Sequence, residues 1–140
     1  MELDEQENLQ TCRINANALV CSSLPFDNEP YLTSHPRKRD TGFPINIITT
    51  ASSGGTEDFV SRMFAPGYVP GDEDHVCGSA HCILGPYWSG KRAIPRGQEI
   101  KAKQVSPRGG DLKVVWEADR DVVRLMGELA LLAKGELHLT

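Results

Sequence analysis

The chemistry this sequence offers is concentrated in one stretch: Glu73, Asp74, His75, Val76, Cys77, Gly78, Ser79, Ala80, His81 and Cys82. Carboxylates, a thiol and a small Gly-Ser turn stand directly before an apolar run. If that run is a helix, its first backbone N–H groups lack intrahelical partners and, with the helix dipole, form a seat for a carboxylate or phosphate. Gly78 has no side chain, so a ligand can approach the backbone closely there. The same field favours a thiolate at Cys77 if its sulfur faces the helix end, and a positioned thiolate can take a proton from carbon.

Each of these residues also has a plainer reading. A Gly-Ser step before a helix is a common capping arrangement. Cys77 fits a small buried residue, Asp74 fits a turn former, and His75 and His81 fit ordinary partly buried histidines. A metal reading starts from Cys77, His81 and Cys82 with His75 nearby. Zinc sites, however, usually add a second, distant pair of ligands. Cys12 and Cys21, with eight residues between them, lie in an irregular region, so no metal is expected.

The elements that must position this stretch follow from the spacing around it. Residues 45–50 are β-branched and bounded by Pro and Gly-Ser punctuation, which predicts a strand; residues 58–64 alternate and predict a second. Residues 79–88 are mostly apolar, open with a serine and are followed by Gly90, which predicts a short buried helix. Four strand-like runs come next, at 99–105, 111–117, 121–125 and 128–132, with Gly135 marking a break before residues 137–139. In the second run Leu112, Val114 and Trp116 share one face and Lys113 and Glu117 the other. The sum is a strand-rich α+β domain with one central helix. Residues 1–42 read instead as an irregular, partly ordered leader. A helix over 5–20 is possible there, weakened by Asn15 and Asn17. Arg37, Lys38 and Arg39 read as a solvated loop.

Bulk properties bound the rest. The chain has 140 residues, 39% hydrophobic and 24% charged, which suits one globular domain. Its formal charge of -4 gives no electrostatic case for nucleic acid. No apolar run approaches the roughly 20 residues of a membrane span, and the first ten residues are acidic where a secretory signal would be basic. A cytoplasmic protein is expected, with its four cysteines reduced.

Taken together, residues 58–66, the stretch 73–82, then Gly85, Pro86, Tyr87 and Trp88, and finally residues 102–110 resemble the carboxyl-terminal signature of the phenazine-biosynthesis PhzF-like isomerase family. The resemblance covers about residues 43 to 139. It implies the fold of diaminopimelate epimerase: two similar domains, each a strand-rich, barrel-like sheet around one central helix, with the active site between them. Residues 43–140 would be the second of those domains. By the same resemblance Gly78 and Ser79 would bind a substrate carboxylate through their N–H groups and Asp74 would contact a polar substituent. Cys77 would stand where the related epimerases carry one of two opposed thiols, so Cys77 and Asp74 become the candidate catalytic residues.

Two departures qualify this. His75 stands where family members usually have proline, which leaves the loop holding Asp74 less rigid. The family's first domain, with its proton-shuttling glutamate, has no counterpart in residues 1–42. The chemistry the family implies is proton transfer between carbons of a small carboxylate, which needs no redox cofactor. The chain would then supply one wall of a site, completed by a second copy or by a separate first domain. Alternatively it is a truncated, inactive domain that at most binds a small carboxylate. A lone wall would leave Cys77 in water, where such chemistry weakens.

Overall fold

The two β-branched runs pair with each other as a hairpin, β1 (Asn46–Ala51) against β2 (Phe59–Phe64), with Ile48 opposite Arg62 and Ala51 opposite Phe59. A computed structural model describes the chain over residues 1–19 and 45–136. After β2 the chain turns through a Pro- and Gly-rich loop to a two-residue strand, β3 (Glu73–Asp74), and then enters the helix α1 (Gly78–Lys91). Three further strands follow, β4 (Glu99–Gln104), β5 (Gly110–Glu117) and β6 (Val122–Gly127).

The sheet order is β1-β2-β4-β5-β6, with β3 also on β2. Among these six strands all pairings are antiparallel except β2 with β4, a parallel contact that the crossover through α1 permits. The α+β class and, among the described residues, the one central helix agree with the sequence. The barrel-like closure does not: among the described residues the sheet is open and β1 does not pair with β6. The outer edge of β1 is instead bonded to the start of the chain. The Leu3 N–H donates to the Thr49 carbonyl at 2.9 Å, and the Thr49 N–H to the Met1 carbonyl at 3.0 Å.

Alternation along the strands sends one face to α1 and the other to residues 1–19. Phe59, Ala51, Ile100, Ala102, Leu112 and Val114 meet Leu84 and Trp88 of α1. Ile48, Phe64 and Val105 on the opposite face meet Leu9. The buried residues of α1 recur in pairs four apart, Ala80 and His81, Leu84 and Gly85, Trp88 and Ser89, which is the stripe a helix needs to lie on a sheet. Gly85 sits against β5 so closely that a Cβ there would lie 2.7 Å from a methyl of Val114.

Three local expectations change. The fourth strand-like run, 128–132, forms no strand, and Leu129, Leu131 and Leu132 are exposed, because a strand exists only where a neighbour supplies its ladder. The helix over 5–20 is not formed. Asp4 and Asn8 accept the N–H groups of Gln6 and Gln10 and make local turns, leaving one 3-10 turn at Ala16–Leu19. The helix runs past Gly90 to Lys91, because the Arg92 N–H still finds the Trp88 carbonyl at 2.9 Å. Cys21, the basic loop at 37–39 and residues 137–139 lie outside the described residues.

Candidate functional site

β3 and β4 lie end to end along the same edge of β2, so their carboxyl ends converge. Asp74 pairs with Met63, and Gln104 with Ser61, two positions further down β2. The loop that leaves β3 crosses this point to start α1, which places the whole candidate stretch where the two strand ends meet. Gln104 bridges them: its Nε2 donates to the Asp74 carbonyl at 2.6 Å and its Oε1 accepts the Cys77 N–H at 2.9 Å. Ser106, just beyond β4, donates its hydroxyl to the His75 carbonyl at 2.8 Å and accepts the Gly109 N–H at 3.0 Å. Gly110 completes this seam, since a Cβ there would overlap the Val76 side chain.

The helix begins differently from the sequence expectation. Cys77, not Ser79, is the N-cap residue, and it makes no side-chain capping bond. Ser79 is the second helical residue, and its hydroxyl meets the Cys77 thiol at 3.2 Å. Among the described residues the N–H groups of Gly78, Ser79 and Ala80 have no hydrogen-bond partner, and Gly78 and Ser79 are exposed. These donors, at the positive end of a 14-residue helix, can hold an anionic oxygen.

Cys77 is only 5% exposed, so its thiol is not left in open water as a lone wall was expected to leave it. Met63, Ala65 and Ala80 enclose it. Asp74 is half-buried on β3. The structure therefore brings Asp74, Cys77, Gly78 and Ser79 into one short loop and helix start. Cys82 is exposed while Cys77 is buried, and among the described residues no three His, Cys, Asp or Glu side chains gather as a metal site would need.

Two residues lie beneath this loop: His81, which the sequence offered as a partly buried histidine, and Gln104, which it did not single out. His81, fully buried, has its Nδ1 at 2.7 Å from the Cys77 carbonyl and its Nε2 at 3.4 Å from the Ser61 hydroxyl. A carbonyl only accepts, so Nδ1 carries a proton. Burial holds the imidazole pKa below its ordinary value, against the raising effect of that carbonyl, so the ring is neutral and Nε2 accepts from Ser61. Phe59 stacks on the ring at 5.9 Å. Gln104 is also fully buried. The four-residue step from Cys77 to His81 was the available signal, since residues that far apart share a helix face.

Among the described residues a mixed, open sheet carries one helix, an α+β fold in which the unpaired helix start follows directly on Asp74 and Cys77. The chain belongs to the phenazine biosynthesis-like protein family, whose pattern matches residues 20–135. An uncharacterized isomerase of Halalkalibacterium halodurans is 47% identical over 94 residues, covering 66% of this chain and 33% of that protein. Phenazine biosynthesis-like domain-containing protein 2 of Mus musculus is 37% identical over 123 residues, covering 82% of this chain and 38% of its own length. Among solved structures, a PhzF-family protein of Enterococcus faecalis superposes with a TM-score of 0.67 at 34% identity, over 99% of this chain and 43% of that one. The chain thus spans about a third of the length of the curated relatives it matches.

Proposed function

We propose that residues 43–140 supply one wall of an isomerase site that moves a proton between carbons of a small carboxylate, in a cytoplasmic protein. The observation that carries this reading is the set of N–H groups of Gly78, Ser79 and Ala80, without partners among the described residues, beside Cys77 and Asp74. The substrate carboxylate would sit on the Gly78 and Ser79 amides, which stabilise negative charge as a proton leaves the neighbouring carbon. Cys77 would act as acid or base and Asp74 would contact a polar substituent. The opposing group would come from a second copy or a separate first domain, as the greater length of the relatives suggests.

The test is solvent exchange. The full chain is incubated in D2O with a panel of small chiral carboxylates, and loss of the α-proton is followed by NMR. Exchange that accompanies a dimer in solution and disappears in Cys77→Ala supports the reading; an unchanged rate in that variant removes Cys77 from the mechanism. The 5% exposure of Cys77 favours a second reading, in which the chain binds a small carboxylate without turning it over. Carboxylate-dependent shifts of the Gly78 and Ser79 amides in an exchange-inactive monomer would select it.

A further inference from the structure

We infer that His81 and Gln104 are positioning residues for the carboxylate seat, because between them they hold both peptide groups of Cys77 and so set the direction of the Gly78 N–H. The inference rests on the reading of that seat given above. The peptide joining Val76 to Cys77 is held through its N–H, which donates to the side-chain Oε1 of Gln104 at 2.9 Å. The peptide joining Cys77 to Gly78 is held through its carbonyl by His81, from the ring Nδ1 at 2.7 Å and from the main-chain N–H at 3.3 Å.

A trans peptide is planar, with its C=O and N–H opposed. Among the described residues no peptide bond is cis, so drawing the Cys77 carbonyl down onto the His81 ring turns the Gly78 N–H the other way, outward from the core. This is needed here because the usual device is missing. A Ser, Thr, Asp or Asn N-cap would fix the first turn through its own side chain, at the cost of occupying the very N–H groups a ligand needs. Cys77 makes no such bond, and its thiol is turned to Ser79. The glycine that follows adds freedom that the two tethers remove.

The tethers are themselves anchored. Ser61 and Gln104 are register partners across β2 and β4, and Ser61 meets the far nitrogen of His81. Phe59, two residues along the same face of β2, stacks on the His81 ring. Gln104 spends its other end on the Asp74 carbonyl, so one carboxamide fixes the main chain at both Asp74 and Cys77. Ser61, His81 and Gln104 are each 1% exposed or less, which places this hardware under the loop and out of reach of a ligand.

The experiment is amide NMR on the full chain, comparing wild type with His81→Leu, His81→Asn and Gln104→Met. His81→Leu fills the space without a donor, whereas His81→Asn keeps an N–H near the Nδ1 position. Wild type should give single, sharp Gly78 and Ser79 amide peaks. His81→Leu and Gln104→Met should each broaden them through microsecond-to-millisecond exchange while the amides of Ile100 and Val114 stay unchanged, and His81→Asn should restore them. Succinate is the probe, and its affinity should fall by roughly fivefold with either tether removed, the worth of one hydrogen bond. Sharp, unshifted Gly78 and Ser79 peaks in both tether-deleted variants would overturn the inference, as would Asn behaving like Leu. If His81→Leu does not fold, the Gln104→Met and His81→Asn results decide alone. Broadening without any succinate effect in wild type keeps the tethers and rejects the carboxylate seat.

Discussion

The indole N–H of Trp88 donates to the hydroxyl of Thr49 at 3.0 Å, joining α1 to β1 where both are buried. That hydroxyl in turn donates a hydrogen bond to the Val60 carbonyl at 2.8 Å, so one threonine links the helix to both strands of the first hairpin. Trp88 also stacks on Phe59 with centroids 5.5 Å apart. Trp88→Phe keeps a ring on Phe59 and leaves Thr49 still bonded to Val60, so it removes one hydrogen bond and part of the packed volume. The expected loss is about 2 kcal/mol in urea unfolding.

Gly85 gives a test of packing with a built-in rescue. A methyl at this position runs into Val114, a fully buried residue of β5, so Gly85→Ala should destabilise by about 1–3 kcal/mol although alanine is the better helix former. Combining it with Val114→Ala should cost less than the sum of the two single changes, because each makes room for the other. A double-mutant cycle by thermal unfolding measures the difference.

His81 makes stability depend on pH in a defined direction. Its folded pKa lies below the ordinary value of 6.5 because burial disfavours the charged ring. As the pH falls through 6.5 the unfolded chain takes up a proton that the folded chain refuses, so the unfolded state is favoured. The midpoint of urea unfolding should therefore drop between about pH 7 and pH 5, and His81→Asn should flatten that decline.

Arg62 ties residues 9–12 to the sheet. Its guanidinium holds both oxygens of Glu73 at 2.7 Å, reaches the Cys12 carbonyl at 2.8 Å and lies over the Phe64 ring. The carboxylate of Glu73 keeps the guanidinium charged, its pKa raised above the ordinary value. Arg62→Met strands a largely buried carboxylate and should cost roughly 3 kcal/mol, with faster hydrogen exchange at Leu9 and Cys12. Arg62→Lys should recover only part of this, since an ammonium cannot grip both oxygens in a planar fork.

Where the sequence spoke clearly, local chemistry was strong enough to decide. Ile47, Ile48, Thr49 and Thr50 have few conformations outside a strand, and the Gly-Ser step marked the start of α1 to within a residue. It misread Ser79 as the cap because capping depends on which residue is half inside the helix, and that is settled by Gln104, 27 residues away. Residues 128–132 carry a strand-like pattern, but pairing is a property of a neighbour, and no pattern within the segment reports one. The candidate site was legible as a list of residues. Its support was not, because His81 and Gln104 show their purpose only once β2, β4 and α1 are side by side.

The three-residue parallel contact between β2 and β4 has a kinetic consequence. The hairpin of β1 and β2 and the meander of β4, β5 and β6 can each form from neighbours in the chain, within microseconds. Phe59 and Ala102, by contrast, must find each other across a long closed loop that contains α1, and that search is slow. The candidate site lies on this seam, so its geometry is among the last features the chain acquires on the way to the native state.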